Sequence, residues 1–268
     1  MKKDTPRVLV IAGSDSSGGA GIQADIKTIT ALGGYATTAI TALTVQNTLG
    51  VQDVLPLAGV FVEAQMTAVL GDIGTDAIKT GMLGTKGVVL AVAANIPDGI
   101  PIVIDPVMVA TSGDVLLDKA AISALKEKLI PKATILTPNI PEAEILAGQK
   151  IHSENEMKAA GKILLGMGAK AVLIKGGHGE GDEIVDLLIT NNEVTRFPHE
   201  RIKSRGTHGT GCTLSSAIAL GLASGLDKKK AVEMGIGYVV KTLVNAPGFG
   251  AGNGPLGHTL GKSVYTDK

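Results

Sequence analysis

The chain has 268 residues, with 25 Lys+Arg balanced by 25 Asp+Glu, 2% aromatic residues, no Trp and a single cysteine. That length suits one large α/β domain or two small ones, and the balanced charge with so few stacking aromatics argues against a nucleic-acid partner. One cysteine excludes an internal disulfide and any multi-cysteine zinc site, and fits a reducing compartment. Met1-Lys2-Lys3 ahead of an apolar run at residues 8–12 imitates a signal peptide, but the run is too short and breaks at Gly13-Ser14-Asp15. Other apolar runs, such as 88–94, are too short to span a bilayer, so no membrane partner and a cytoplasmic location are expected.

In chain order, the first expected strand, residues 7–12, feeds the loop Gly13-Ser14-Asp15-Ser16-Ser17-Gly18-Gly19-Ala20-Gly21 and a helix at 21–32. Inside that loop, Gly19-Ala20-Gly21-Ile22-Gln23-Ala24 has the loose dinucleotide pattern. The pattern must follow its strand directly and be answered by an acidic residue about 20 residues on. Six residues separate Ala12 from Gly19, and residues 39–45 contain no Asp or Glu, so it fails on both counts. Strands at 36–43 and 51–57, a helix at 59–71, a strand at 77–80 and a helix at 84–95 follow. Strand 100–104 is apolar without alternation, as a doubly buried parallel strand should be, and it ends on Asp105-Pro106-Val107-Met108. A helix at 119–130 precedes strand 134–136, which ends on Thr137-Pro138-Asn139, with Glu142 and Glu144 opening a helix at 141–146.

Ser153 and Glu156 form a capping-box pattern for a helix at 153–167. Strand 171–174 ends on Lys175-Gly176-Gly177-His178. A strand at 183–190 begins a hairpin, read at 185–197, that turns at Asn191-Asn192. Helices at 211–224 and 228–243 come last. No linker, repeat or charge block divides the chain. The expected fold is α/β, one domain over residues 1–268, with a central, mostly parallel sheet flanked by helices on both faces. An eight-stranded barrel is the alternative.

In open parallel sheets, ligands bind beyond the carboxyl ends of the strands, and this chain concentrates its polar chemistry there. Asp105, Asn139 and Glu142 are suited to hold Mg²⁺ loosely against a polyphosphate. Lys175 offers a point charge for phosphate oxygens. A fifth segment, Gly206-Thr207-His208-Gly209-Thr210-Gly211-Cys212, leaves its amides uncovered ahead of a helix N-terminus, which makes an anion site. The same loop also reads as a small-residue turn that packs a helix, with Cys212 as a buried apolar residue. Neither a Walker P-loop nor an H-E-x-x-H motif occurs, and the histidines lack metal-ligand spacing.

With these motifs in view, the chain resembles the ribokinase superfamily, and closely its hydroxymethylpyrimidine/phosphomethylpyrimidine kinase branch. The resemblance spans nearly the whole chain. It rests on the segment from Ala12 to Asp25, Thr41-Ala42-Leu43-Thr44-Val45-Gln46-Asn47-Thr48, Lys79-Thr80-Gly81-Met82-Leu83, Asp105-Pro106-Val107-Met108, Thr137-Pro138-Asn139 with Glu142-Ala143-Glu144, Lys175-Gly176-Gly177-His178, and His208-Gly209-Thr210-Gly211-Cys212-Thr213. It implies a ribokinase-like fold with a small β lid, often a homodimer, and an ATP- and Mg²⁺-dependent kinase acting on 4-amino-5-hydroxymethyl-2-methylpyrimidine and then its monophosphate.

The resemblance also implies roles. Gly209, Thr210, Gly211 and Cys212 form the anion hole, and Cys212 stands where sugar-kinase relatives carry an aspartate base, a role that requires a depressed thiol pKa. Lys175 assists catalysis and, with Asn139 and Thr207, holds the nucleotide, while Asp105 and Glu142 serve the metal. Gly13, Ala20, Asp25, Thr44, Gln46 and Met82 match the pyrimidine pocket. Adenine contacts are placed only regionally, around residues 241–252. A pyridoxine/pyridoxal kinase on the same scaffold is the competing activity, and a non-catalytic vitamer-binding protein is the competing class.

Overall fold

A computed structural model describes residues 5–108, 117–178 and 181–260; the signal-like Met1-Lys2-Lys3 lies outside them. Strand β1 (Arg7–Ser14) shows why its sequence is continuously apolar. Leu9 and Ile11 face one core while Val8, Val10 and Ala12 face another, all essentially unexposed. The first core packs against helices α2 (Gly59–Asp72) and α3 (Lys86–Asn95), through Val62, Met66, Val88 and Val92. The second packs against α1 (Gly21–Ala31), α7 (Thr210–Ala223) and α8 (Lys228–Val244), through Ile29, Leu214, Ile218 and Val232. A strand buried on both faces has no polar side to display.

The remaining strands are β2 (Tyr35–Asn47), β3 (Gly50–Pro56), β4 (Ala77–Thr80), β5 (Ile102–Ile104), β6 (Ile135–Leu136), β7 (Val172–Ile174), β8 (Glu183–Ile189) and β9 (Val194–Glu200). They form one nine-stranded open sheet in the order β3-β2-β1-β4-β5-β6-β7-β8-β9, which excludes the barrel alternative. β2 through β7 are parallel in that order, with antiparallel β3 at one edge and the β8–β9 hairpin at the other. The chain winds outward from β1 in both directions, so the switch point lies between β1 and β4, where open α/β sheets place their ligand crevice.

Three local expectations change. β2 runs on to Asn47 and, with β3, projects past the layer of helices. The helix expected at 119–130 is α4 (Lys119–Ala124) followed by a π turn, Leu125–Leu129, and a 3₁₀ turn, Ile130–Lys132. Pro131 cannot continue a regular helix, and the wider turn keeps Leu125, Leu129 and Ile130 in the core. Ser153 caps α6 (Glu154–Gly166) as read, but Glu156 reaches back to His152 N rather than to the cap residue's own amide. The reciprocal capping box lies instead at Asn139 and Glu142, opening α5 (Ile140–Ala147).

Candidate active site

The loops at the carboxyl ends of the parallel strands enclose a cavity of about 580 Å³. It is lined by Gly13, Ala20, Thr44, Gln46 and Met82 at one end. Asp105, Asn139, Glu142, Lys175, Thr207 and the run Gly209 to Cys212 lie along its length. Every residue assigned to the site from the sequence therefore faces this space, with one exception.

The exception is Asp25. Its side chain is fully buried, within 2.9 Å of Lys79 Nζ through both oxygens, and it accepts a 2.7 Å hydrogen bond from Ser216 Oγ. Asp25 thus joins α1, β4 and α7 below the cavity floor instead of reading a pyrimidine. Burial pushes its carboxyl up and Lys79 opposes that, while the same pairing holds the Lys79 ammonium above its ordinary range despite burial.

At the start of α7, Gly209 has φ +86°, and a Cβ there would run into the carbonyl of Gly19. Only glycine lets the phosphate-type loop lie directly on the β1 loop. Cys212 is half-buried. Burial pushes its thiol up to about 11, a rise that Lys79 only partly offsets, so the depressed pKa expected of a base is not met. At neutral pH Cys212 is a thiol, with the Gly21 amide beside its sulfur.

Asn139 and Lys175 form a parallel bridge at the ends of β6 and β7, where Lys175 N donates to Pro138 O at 3.0 Å. Lys175 Nζ lies 3.0 Å from Asp105 Oδ1. Burial works against the lysine charge, yet Asp105 and Glu142 raise its pKa overall. Glu142 accepts from Met108 N and Asn139 N, one backbone donor on each carboxylate oxygen. Burial raises its pKa, Lys175 opposes the rise and Asp105 adds to it. Asn139 spends its side-chain oxygen on the amide of Glu142, which leaves its NH₂ for a ligand.

Two side chains at the heart of the site were quoted in motifs but given no role. Asp15 accepts from the amides of Ser17, Gly19 and Ala20, and from Ser17 Oγ, so it organises the whole β1 loop. His208 Nε2 donates to Asp15 Oδ2 at 2.8 Å and lies 3.3 Å from the Gln46 amide. Despite burial, these hydrogen bonds, His208 first, hold the Asp15 carboxyl at about 2. An acidic residue just past a strand, within a glycine run, was the available signal. The other missing part is an apolar wall of Ile202, Leu214, Ile236, Val239, Val240 and Leu243. Of the 241–252 region expected to hold adenine, only Leu243 lines the cavity. Four of the six wall residues, Ile236, Val239, Val240 and Leu243, form a stripe of α8, which starts earlier, while Leu214 comes from α7 and Ile202 follows β9.

One further segment ties the rim together. Gly252 N and Asn253 N donate to Thr48 at the β2–β3 turn, Gly254 N donates to Arg205 O, and His208 N donates to Gly254 O. His258 Nε2 then accepts from Thr213 Oγ1 at 2.9 Å in the first turn of α7. Residues 252–258 thereby hold the substrate-end strand and the anion loop as one unit.

The profile of the phosphomethylpyrimidine kinase family matches residues 15–257. A hydroxymethylpyrimidine/phosphomethylpyrimidine kinase of Rhizobium meliloti is 46% identical over 258 residues, covering 95% of this chain and 97% of its own. A thiamine biosynthesis bifunctional protein of Geobacter sulfurreducens is 45% identical over 97% of this chain, which spans 54% of that longer protein. Among solved structures, the pyridoxal kinase of Staphylococcus aureus in complex with ADP superposes with a TM-score of 0.90 at 35% identity, covering 98% of this chain and 96% of that one. The chain belongs to the phosphomethylpyrimidine kinase family, phosphotransferases that act on hydroxymethylpyrimidine and its phosphate in thiamin biosynthesis.

Proposed function

We propose that residues 1–268 form a single ribokinase-like kinase domain that transfers the γ-phosphoryl of ATP to the hydroxymethyl oxygen of 4-amino-5-hydroxymethyl-2-methylpyrimidine, and then to the resulting monophosphate. The observation that carries this reading is the sharing of one cavity by two chemistries: Thr44, Gln46 and Met82 at one end, and the α7 amides with Lys175 along its length. Gln46 pairs with the ring edge, Met82 packs on its face, and Gly13 and Ala20 admit the ring closely. The apolar wall of Val239, Val240 and Leu243 takes the adenine, while Thr207, Asn139 and Lys175 hold the phosphates.

The phosphoryl group in flight is nearly free of both oxygens, so its charge chiefly needs positioned donors. The amides of Gly209, Thr210, Gly211 and Cys212 and the Lys175 ammonium supply them. A largely dissociative transition state keeps the hydroxyl proton on the acceptor until late, so that proton is taken only as the bond forms, by the deprotonated fraction of Cys212, which becomes the thiol in the step.

Among the described residues no group of three or more His, Cys, Asp or Glu side chains encloses a metal. Asp105 and Glu142 nevertheless fit Mg²⁺ that arrives on ATP and keeps phosphate and water ligands, because Glu142 is buried beside a second carboxylate. Bound there, Mg²⁺ would neutralise phosphate charge.

The reading extends to assembly and location. Leu43, Val45 and Leu55 lie exposed on the outer side of the projecting β2–β3 pair, with Val60 and Phe61 exposed nearby in sequence at the start of α2. Such an apolar face supports a homodimer. No helix among the described residues is long and apolar enough to cross a membrane, and one lone cysteine suits the cytoplasm.

ADP release measured with the pyrimidine alcohol, its monophosphate and pyridoxal tests the proposal. Both pyrimidines should be turned over. Efficient use of pyridoxal with the pyrimidine alcohol hardly touched would instead establish the second reading, a pyridoxal kinase, which the 35%-identical Staphylococcus aureus structure favours.

A further inference from the structure

At the substrate end of the cavity, Gln46 Nε2 stands 3.3 Å from His208 Nε2, and Gln46 Oε1 stands 3.1 Å from Thr44 Oγ1. Counting protons rejects that amide orientation at both ends. Asp15 Oδ2 is 2.8 Å from His208 Nε2. An ionised carboxylate only accepts, so this imidazole nitrogen carries a proton and cannot receive an amide N–H. At the other end, Thr44 Oγ1 donates to Ser14 O at 3.0 Å, and its single proton cannot also serve Gln46 Oε1. Turning the amide by 180°, which leaves its heavy-atom outline unchanged, removes both conflicts. Oε1 then shares the His208 Nε2 proton with Asp15, and Nε2 donates to Thr44 Oγ1.

We infer that His208, anchored by Asp15, is a positioning residue that fixes the amide orientation of Gln46 and so favours an aminopyrimidine over a pyridine substrate. The inference rests on the proposed placement of the substrate ring against Gln46. In the fixed orientation, one amide N–H and one oxygen lone pair remain for the ligand, with the N–H on the Thr44 side and the oxygen on the His208 side. A ring nitrogen with an adjacent amino group complements that edge in one register only. A pyridine whose ring nitrogen has no neighbouring amino group can satisfy one of the two positions at most. The unmet position then stays desolvated, which is how polar pockets reject a near-isostere. Thr44 supports the same orientation only while its proton stays on Ser14 O, because a turned hydroxyl could donate to Gln46 Oε1, whereas the proton that Asp15 holds on His208 Nε2 faces Gln46 in either case.

His208→Leu removes the donor, and His208→Gln restores one. Losing one fixed hydrogen bond should raise the KM for the pyrimidine alcohol by ~10-fold in His208→Leu. The competitive inhibition constant of pyridoxal should change little, and His208→Gln should recover most of the loss. Equal shifts for both compounds, or a fall in kcat at unchanged KM, would overturn the inference. Because His208→Leu can also disturb packing against Gly19, nitrogen-15 NMR of the wild-type protein gives an independent reading. It should show His208 Nε2 protonated, and an unprotonated Nε2 overturns the inference in an enzyme that still uses the pyrimidine. A wild-type enzyme that ignores the pyrimidine alcohol overturns the functional reading itself, and with it the claimed selectivity.

Discussion

Lys79 Nζ sits 2.9 Å from both carboxylate oxygens of Asp25, and neither side chain has any solvent exposure. An isolated charge in that position would be far costlier than the pair, so the two residues stand or fall together. Lys79→Met should lower unfolding stability by about 3–5 kcal/mol, the usual cost of stranding one member of a buried pair. The double variant Lys79→Met/Asp25→Leu should regain much of that loss. Urea denaturation of the three proteins measures it, and equal stability of the single and double variants would show that the pair does not couple. Asp25→Asn, by the same logic, should act on stability more than on the KM for the pyrimidine.

For Cys212 the expected signature is kinetic. Cys212→Ser should lower kcat by about 10²-fold, the lower range for a proton-transfer group, with the KM for the pyrimidine alcohol changed far less. With the thiol pushed up to about 11, the wild-type rate should also climb with pH through the alkaline range as the deprotonated form grows, and the serine variant should lack that limb. Parallel losses in kcat and KM would make Cys212 a packing residue.

Gly209→Ala tests the contact between the two loops. Its φ of +86° disfavours any L side chain, and the added methyl would collide with the Gly19 carbonyl. Strain of this kind costs about 1–3 kcal/mol before any clash is counted. Kinase activity should fall below detection while the far-ultraviolet circular dichroism remains native, because the damage is confined to the α7 entry. Retained activity would mean that the loops separate without consequence.

Acid sensitivity should trace to His258. Burial holds its imidazole at about 4, below the ordinary 6.5, so the folded protein keeps it neutral while the unfolded chain binds a proton. Its contribution is therefore intact above pH 6.5 and is lost as the pH falls from about 6.5 to about 4, by about 3 kcal/mol in all. Asp15, with a folded pKa of about 2, loses its contribution only between about 4 and 2 and leaves the upper window clear. Chemical denaturation at pH 7 and pH 4.5 should show a smaller difference for His258→Gln than for the wild type. Identical differences would refute the assignment.

The parallel core and the strand-end chemistry were legible because burial on both faces leaves an unbroken apolar signature, as at β1 and β5, and because glycines and charges punctuate each strand end. Asp25 misled because a family motif does not record depth: Lys79, its partner, lies 54 residues away, and nothing local reveals that both are unexposed. Asn139 and Glu142 show a different ambiguity. Their spacing is both a capping box and a ligand pair, and the structure uses it as the cap. The apolar wall on α8 went unread for the opposite reason, since an inner helical stripe facing a cavity has the same periodicity as one facing a core. The protonated state of Cys212 follows first from burial, which Lys79 opposes and Asp25 reinforces, a three-dimensional environment that no local pattern encodes.

The segment 252–258 also bears on how the protein is made. Thr48, Arg205 and Thr213 all wait for the same stretch, which is synthesised after every strand of the sheet. A growing chain can therefore complete its nine strands and bury much of its core while the rim of the cavity still lacks its fastening. The rim of the cavity is thus the last part of the fold to be fastened, by residues that follow the whole sheet in the chain.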